Sequence, residues 1–308
     1  MAGQSVTKNI FRIWDRPVIL LCLATLFWGG NTVAGRFAVG NISPFLLTHL
    51  RWSILTVLLL FIYRKRLSEI VQQFLGWWKY FVIGGIALGG FNMLFYTAAH
   101  HTTAINLGIL QGSIPIVVIV GSFFLFKKKI TVTQSVGIVI GLIGVLELAS
   151  GGNLQRLIEV DLNIGDMYML LGCALFASYT LGLQKRPDGD EIIGLLILSA
   201  TAQLITAPGL IYEVVSNEII WPTSKGWLIV IYVTLCTSFL AHLFYIRSVQ
   251  LIGAGLCGLF SNLTPIFAAL LAVSLLGEKF GQFHAIALML VLSGLWLAQK
   301  PLTKRTET

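Results

Sequence analysis

The chain is dominated by long stretches that contain no Asp, Glu, Lys or Arg. These stretches cover residues 17–35, 80–126, 130–146, 167–184, 192–212, 226–246, 248–277 and 280–299. A membrane-spanning helix needs about 20 predominantly apolar residues, and each stretch comes close to that length or exceeds it. Only 11% of the residues are charged, whereas soluble domains average about 25%. A lipid bilayer is therefore the solvent that this sequence fits.

The apolar stretches give nine predicted spans, and the segment 43–63, which His49 and Arg51 interrupt, gives a tenth. Stretch 80–126 is about twice as long as one span requires, so we place a break at the polar run 100–103. The predicted spans are 17–39, 43–63, 77–99, 103–126, 131–149, 164–184, 191–212, 226–248, 254–276 and 282–299. The linkers are too short for a soluble domain. The sequence therefore predicts an all-α membrane protein with ten transmembrane helices.

The basic residues in the loops predict the orientation of these spans. With the N-terminus in the cytoplasm, most loop Lys and Arg residues lie inside, and the outside carries only Arg156, Lys225 and Lys279. Short loops rich in Lys and Arg stay on the cytoplasmic side of a membrane. We therefore expect a multi-pass protein of the bacterial inner membrane, with a cytoplasmic segment 1–16 and a cytoplasmic tail 300–308.

The two halves of the chain resemble each other. The matching pairs, 150 positions apart, are Gly108 and Gly258, Pro115 and Pro265, Lys129 and Lys279, and Gly144 and Gly294. Each half, 17–149 and 164–299, holds five predicted spans. Because five is odd, the halves enter the membrane from opposite sides. The pattern predicts an inverted repeat, which is found in many secondary transporters.

Several short motifs resemble those of one transporter family. They are Phe27-Trp28-Gly29-Gly30-Asn31, Arg36, Ser43-Pro44, Leu50-Arg51-Trp52, Pro115, Pro265, Leu276-Gly277-Glu278-Lys279 and Gly294. In order and spacing, the chain resembles the EamA-type branch of the drug/metabolite transporter superfamily over nearly its whole length. One departure is the run 127–129, which is Lys-Lys-Lys where the family often has an acidic residue.

The resemblance implies two inverted five-helix repeats around a central cavity. It further implies alternating access and movement of small organic metabolites, usually export, with amino acids as the leading class. The expected partners are a small-molecule substrate and membrane lipid. We expect no cofactor and no nucleic acid. The protein is predicted to be a monomer or a homodimer; Gly137, Gly141 and Gly144 are interpreted as helix-packing residues, with a dimer contact as the alternative.

Polar residues inside the predicted spans are the candidate substrate-binding residues. An unpaired polar group in hydrocarbon is costly, so such residues should face the bundle interior or a wet cavity. The candidates are Trp28, Asn31, Arg51, Asn92, Tyr96, Gln111, Tyr179 and Asn262. For any one of them, a hydrogen bond between helices is an alternative to substrate contact.

Arg51 is the most specific of these candidates. A guanidinium inside a span could bind a substrate carboxylate. The alternatives are an ion pair with Glu147 near the outer end of the fifth span, or a side chain that extends outward to water.

Two prolines and one histidine have separate predicted roles. Pro115 and Pro265 lie mid-span, where a proline frees a carbonyl and kinks the helix. They are candidate hinges, with static kinks as the alternative. None of the acids lies near a span centre, which leaves His242 as the proton-coupling candidate.

Enzyme and metal motifs are not found in the sequence. It contains no Walker A run, HExxH, GxSxG or CxxC, so we predict a transporter and not an enzyme. The alternatives are a membrane-embedded enzyme and a passive facilitator or pore. Product formation by the purified protein would indicate the enzyme, and flux that never saturates would indicate the pore.

Introduced cysteines test the predicted topology in intact cells. Sites in 150–163 and 213–225 should react with a membrane-impermeant maleimide from outside, because both loops are predicted to be external. Residue 128 should react only after the cells are permeabilised. Labelling of residue 128 from outside would contradict the orientation.

Overall fold

The computed structural model describes residues 13–127, 130–153, 163–182, 189–252, 257 and 260–299, and the regular structure within them is helical. The helices are α1 (Pro17–Ala38), α2 (Pro44–Tyr63), α3 (Leu67–Ala99), α4 (Ala104–Gln111), α5 (Ile114–Phe126), α6 (Val132–Ser150), α7 (Ile164–Gly182), α8 (Glu191–Val215), α9 (Ser224–Tyr232), α10 (Ala241–Ile252), α11 (Leu263–Leu271) and α12 (Gln282–Ala298). Two π-helical segments, Val233–Leu240 and Ala272–Leu276, continue α9 and α11.

Within these described residues, seven helical stretches are long and apolar enough to cross a membrane. One of them, Pro44–Ala99, is 56 residues long and contains two of the predicted spans. Two further apolar helices, Leu263–Leu276 and Gln282–Ala298, are shorter. The chain is therefore a polytopic helical membrane protein. The count of ten spans and the inverted repeat stay predictions.

The predicted linker 64–76 is helical in the structure. A 3-10 turn, Arg64–Arg66, follows α2, and α3 begins at Leu67 with a break in its helical geometry at Trp77. Arg66 binds Glu69 one turn later, with its Nη2 2.5 Å from the carboxylate. This early start of α3 was not predicted because the segment is too polar to be recognised as a span.

The helix ends define two faces of the bundle. On the first, which we call the Glu278 face, Glu278 accepts hydrogen bonds from the start of α4, and Glu213 accepts them from the start of α2. On the second, the Arg247 face, Arg247 binds Asp15 at 2.6 Å and Arg66 binds Asp190 at 2.7 Å. The predicted topology makes the Glu278 face external and the Arg247 face cytoplasmic.

A glycine seam joins α6 and α12. A Cβ on Gly294 would lie 2.5 Å from the backbone nitrogen of Gly141 and 2.6 Å from the carbonyl oxygen of Gly137. A Cβ on Gly144 would likewise meet the backbone of Val291 at 2.9 Å. Such small residues let helices approach closely. The proposed dimer contact at these glycines is therefore wrong, because α12 covers them.

Both predicted hinge prolines lie in the first turn of a helix. Pro115 follows the turn at Gly112 and Ser113 that separates α4 from α5, and Pro265 follows a turn at 261–262. The missing N–H of proline is tolerated in a first turn. Other sequence predictions fall on Gly258, Lys128–129 and the segments 1–12 and 300–308, which lie outside the described residues.

Candidate functional site

The described structure has a buried polar cluster around Arg51. The guanidinium Nη1 donates to Asn92 Oδ1 at 2.8 Å, to the Tyr96 hydroxyl at 2.7 Å and to Asn31 Oδ1 at 3.5 Å. Nε donates to Ser238 Oγ at 2.5 Å. Tyr96 in turn donates to Asn31 Oδ1 at 2.9 Å. We call these five residues the Arg51 cluster. All five are at most 5% exposed.

The cluster joins α1, α2, α3 and the first π-helical segment. Asn31, Arg51 and Asn92 each lie seven residues from the end of their helix at the Glu278 face. At 1.5 Å per residue this is a depth of roughly 10 Å. Equal depth on adjacent helices brings the three side chains together.

The π-helical segment supplies the fourth partner of Arg51. Ser238 Oγ donates to the carbonyl of Val233, five residues earlier, at 2.9 Å. Thr237 donates to the same carbonyl at 2.7 Å. A π-bulge leaves such a carbonyl without its usual helical partner and is frequent at functional sites. Here it directs the Ser238 hydroxyl toward Arg51.

Both alternatives considered for Arg51 are wrong in this structure. Arg51 is 5% exposed, so its side chain does not extend to water. Among the described residues it has no ion pair with Glu147 or with any other carboxylate within 4 Å. Its cation is held by neutral oxygen atoms and lies 5.4 Å from the ring of Trp52.

Trp28 and His242 form a second group on α1 and α10. The Trp28 ring lies 5.8 Å from the imidazole of His242, edge to face, and 5.6 Å from the Tyr245 ring. Both Trp28 and His242 are half-buried. His242 Nδ1 is enclosed and has no hydrogen-bond partner among the described residues.

The remaining three candidates lie apart from the Arg51 cluster in their contacts. Gln111 ends α4 and its Oε1 is enclosed without a partner in the described part of the chain. Tyr179 packs against Phe176 at 5.8 Å. Asn262 donates to Gln299 Oε1 at 3.3 Å, and its own Oδ1 is enclosed without a described partner. The structure therefore brings four of the eight candidates together.

Glu278 joins four helix ends on its face. Its carboxylate accepts hydrogen bonds from the N–H groups of Ala104 at 2.9 Å and Ile105 at 3.0 Å. Arg36 Nε lies 4.0 Å from the same carboxylate, and Arg36 Nη1 donates to the carbonyl of Ala99 at 2.5 Å. A carboxylate at a helix start is stabilised by free N–H groups and by the helix dipole.

Glu213 holds the start of α2 in the same way. Its carboxylate accepts from Ser43 Oγ at 2.6 Å, from Phe45 N at 2.8 Å and from Leu46 N at 2.9 Å. Glu213 is 4% exposed. The end of α8 is thereby bound to the beginning of α2.

Asp166 is a further carboxylate near this face and, like Glu213, it is buried. It accepts a hydrogen bond from Thr102 at 2.6 Å and, at 3.3 Å, one from the amide of Asn106 on α4. Asp166 is 2% exposed. The first turns of α4 are therefore held by Asp166 of α7 and by Glu278, which follows the second π-helical segment.

The Arg247 face is more exposed. The side chains of Arg66 and Asp190 retain 40% and 27% of their accessible surface, and Asp15 retains 66%. Burial tends to raise the pKa of the Asp190 carboxyl, but hydrogen bonds from Arg66 and from the start of α8 hold the pKa below its ordinary value. A cavity of about 460 Å³ lies on this face, lined by Trp14, Gly189, Asp190, Glu191, Ile192, Leu243, Ile246, Arg247 and Gln250.

Several residues of this architecture were missed in the sequence. Ser238 was missed because its direction depends on the π-helical register. Asp166 and Glu213 were read as acids near span ends, where water is expected. A role for Glu213 could have been suspected, because the Ser-Pro pair at 43–44 marks a helix start whose free N–H groups need hydrogen-bond acceptors. In the described part of the chain, no group of three His, Cys, Asp or Glu side chains could hold a metal ion.

Comparisons with known proteins agree with this architecture. The model of the EamA-like transporter family matches residues 15–149 and again 163–299. The uncharacterized transporter YyaM of Bacillus subtilis (strain 168) is 25% identical over 291 residues, which cover 91% of this chain and 92% of that protein.

Two further relatives and a solved structure are similar over most of the chain. The uncharacterized transporter YetK of Bacillus subtilis (strain 168) is 25% identical, covering 91% of this chain and 85% of its own length. An uncharacterized transporter of Archaeoglobus fulgidus is 24% identical, with coverages of 91% and 96%. A crystal structure with 20% identity shares the fold, with a TM-score of 0.63 over 92% of this chain and 96% of that chain.

The family model matches the chain twice and covers most of it. The relatives of the chain are named transporters rather than enzymes. Several of its helices are long enough to cross a membrane. The chain is a membrane transporter that belongs to the EamA-like transporter family.

Proposed function

We propose that this protein is a secondary transporter of the bacterial inner membrane that exports small organic metabolites by alternating access. Amino acids are the leading substrate class, and both termini are cytoplasmic. The residues proposed to line the central pathway are Trp28, Asn31, Arg51, Asn92, Tyr96, Gln111, Tyr179 and Asn262. Pro115 and Pro265 are the proposed hinges.

The observation that carries the proposal is the Arg51 cluster at depth within a membrane transporter. Ionisable residues inside a membrane are costly and mark substrate or ion pathways far more often than they serve packing alone. The cluster lies between helices of the first family match and Ser238 of the second. A polar site between the two matched segments is the arrangement of repeat-built transporters.

The packing of the helices supports an inverted repeat. α1 packs on α10 and α11, and α7 packs on α3 and α5, the counterparts of those helices five predicted spans earlier. α2 packs on α8, and α6 packs on α12, so each of these pairs consists of a helix and its own counterpart. An exchange of the two halves reproduces this set of contacts.

The difference between the two faces supports alternating access. At the Glu278 face, carboxylates that are 4% and 13% exposed bind helix starts, whereas more exposed ion pairs and a cavity of about 460 Å³ lie at the Arg247 face. A transporter closed outside and accessible inside has this asymmetry. Opening to the outside would then require the Glu278 contacts to break.

Trp28 and Asn262 provide the transport test. Purified protein is screened against the L-amino acids by thermal shift, and compounds that stabilise it are measured for flux into liposomes. We expect saturating flux, and Trp28→Ala and Asn262→Ala should each lower the rate about tenfold, equivalent to about 1.4 kcal/mol. Trp221→Ala is the control, because Trp221 is 67% exposed. Normal rates in both variants would show that these residues do not line the pathway.

The same liposomes test proton coupling. With no carboxylate near a predicted span centre, flux should be either independent of an imposed pH gradient or dependent on His242. His242→Gln is therefore compared with Glu147→Gln. Proton-driven accumulation that persists in His242→Gln and vanishes in Glu147→Gln would contradict the assignment.

Closure of the Glu278 face is tested by cysteine accessibility. In a variant without the native cysteines, Ala34→Cys places a thiol at a position that is 6% exposed. Glu278→Ala removes two hydrogen bonds to a charged group, so labelling by an external impermeant maleimide should rise at least about tenfold. Glu218→Ala removes an exposed carboxylate and should leave the labelling rate unchanged. Equal labelling in both variants would show that Glu278 does not hold this face closed.

A further inference from the structure

Arg51 is a buried cation whose partners in the described structure are all neutral. Asn31, Asn92, Tyr96 and Ser238 provide oxygen acceptors, and none of them carries a charge that could balance the guanidinium. These hydrogen bonds use Nε and Nη1. Nη2 makes no hydrogen bond with any described residue, and 5% of the Arg51 surface remains accessible.

The carboxylates near the Glu278 face are engaged elsewhere. Glu278 is bound to α4 and Arg36, and Glu213 is bound to Ser43 and the start of α2. Asp166 is bound to Thr102 and Asn106. None of the three shares a hydrogen bond or an ion pair with Arg51 in the described part of the chain.

An unbalanced charge in this position strongly favours an anion. Burial removes the hydration of the guanidinium, and neutral dipoles restore only part of it. The low local dielectric also strengthens its attraction to any negative group that comes close. Asn31 Nδ2, which likewise has no hydrogen bond to described residues, is a second donor in the same cluster.

We propose that Arg51 is an anion-binding residue, and that the transported metabolite carries a carboxylate that pairs with Nη2 of its guanidinium. This inference rests on the proposed transport function and specifies its substrate class. The four neutral partners then have a positioning role, because they fix the guanidinium by its other nitrogens and leave Nη2 free. A substrate that has lost its negative charge should bind poorly.

Matched pairs of acids and amides test the proposal directly. The probes are L-amino acids and their amides, for example L-leucine and L-leucinamide, applied to purified wild-type protein in a thermal-shift and equilibrium-binding assay. The free acids should bind at least about tenfold more tightly than the amides, because a hydrogen bond to a charged group is worth that much. Equal binding of acids and amides by the wild type would overturn the proposal without any variant.

Variants then assign the preference to Arg51. Arg51→Gln should bind acids and amides with similar affinity, whereas Arg51→Lys should keep a preference for the acids because it keeps the charge. Trp221→Ala, at a residue that is 67% exposed and lies outside the Arg51 cluster, is the control and should also keep the preference. Retention of the full preference by folded Arg51→Gln would place the anion elsewhere. If Arg51→Gln does not fold, a comparison of Arg51→Lys with the wild type decides, since an unchanged acid-to-amide ratio and an unchanged affinity would contradict direct contact.

Liposome flux separates this inference from the proposed function. Saturating flux of acids but not of amides supports both. Equal flux of both probes would keep the transport function and reject the carboxylate. Binding of acids that depends on Arg51, with no flux, would keep the anion site and reject the transport function.

Discussion

The burial of one guanidinium among neutral partners constrains the centre of this structure. Arg51 must find acceptors at a depth where water is scarce, and four helical segments supply them. α1, α2 and α3 therefore meet at one level, and helix 224–252 departs from α-helical geometry where Ser238 reaches Arg51. Movement of any of these segments would change the surroundings of the charge. The cluster thus couples the surroundings of Arg51 to the positions of the helices around it.

The two faces of the bundle hold their helices by different interactions. At the Glu278 face, the carboxylates of the buried Glu213 and of Glu278, whose side chain is 13% exposed, bind backbone N–H groups of other helices. At the Arg247 face, ion pairs between exposed side chains contribute little, since exposed pairs are worth about 0–1 kcal/mol. The glycine seam between α6 and α12 packs these two helices closely together. In the alternating-access mechanism proposed above, this asymmetry would place the larger barrier to opening at the Glu278 face.

The sequence predicted the parts of this architecture that depend on the energetic cost of polar groups in hydrocarbon and on the spacing of charged residues along the chain. Charge-free stretches located most of the helices, and the cost of polar groups in hydrocarbon identified Asn31, Arg51 and Asn92 as candidates, whose equal depth the structure then showed. The contact of Ser238 with Arg51 could not be predicted from the sequence, because a π-helical turn rotates the side chains that follow it. The helical segment 67–76 was not predicted because it is too polar to be recognised as part of a membrane span. Asp166 and Glu213 were missed because proximity to a span end does not reveal whether a neighbouring helix start covers a carboxylate.

Alternating access around the Arg51 cluster is the central claim, and paired spin-label distances test it most directly. One pair of labels, at 218 and 279, reports the Glu278 face, and a second pair, at 65 and 250, reports the Arg247 face. Both are measured in liposomes with and without an amino acid that the protein transports. Alternating access predicts that substrate lengthens the distances in the first pair while it shortens those in the second. Distances that stay unchanged in both pairs during saturating flux would contradict it.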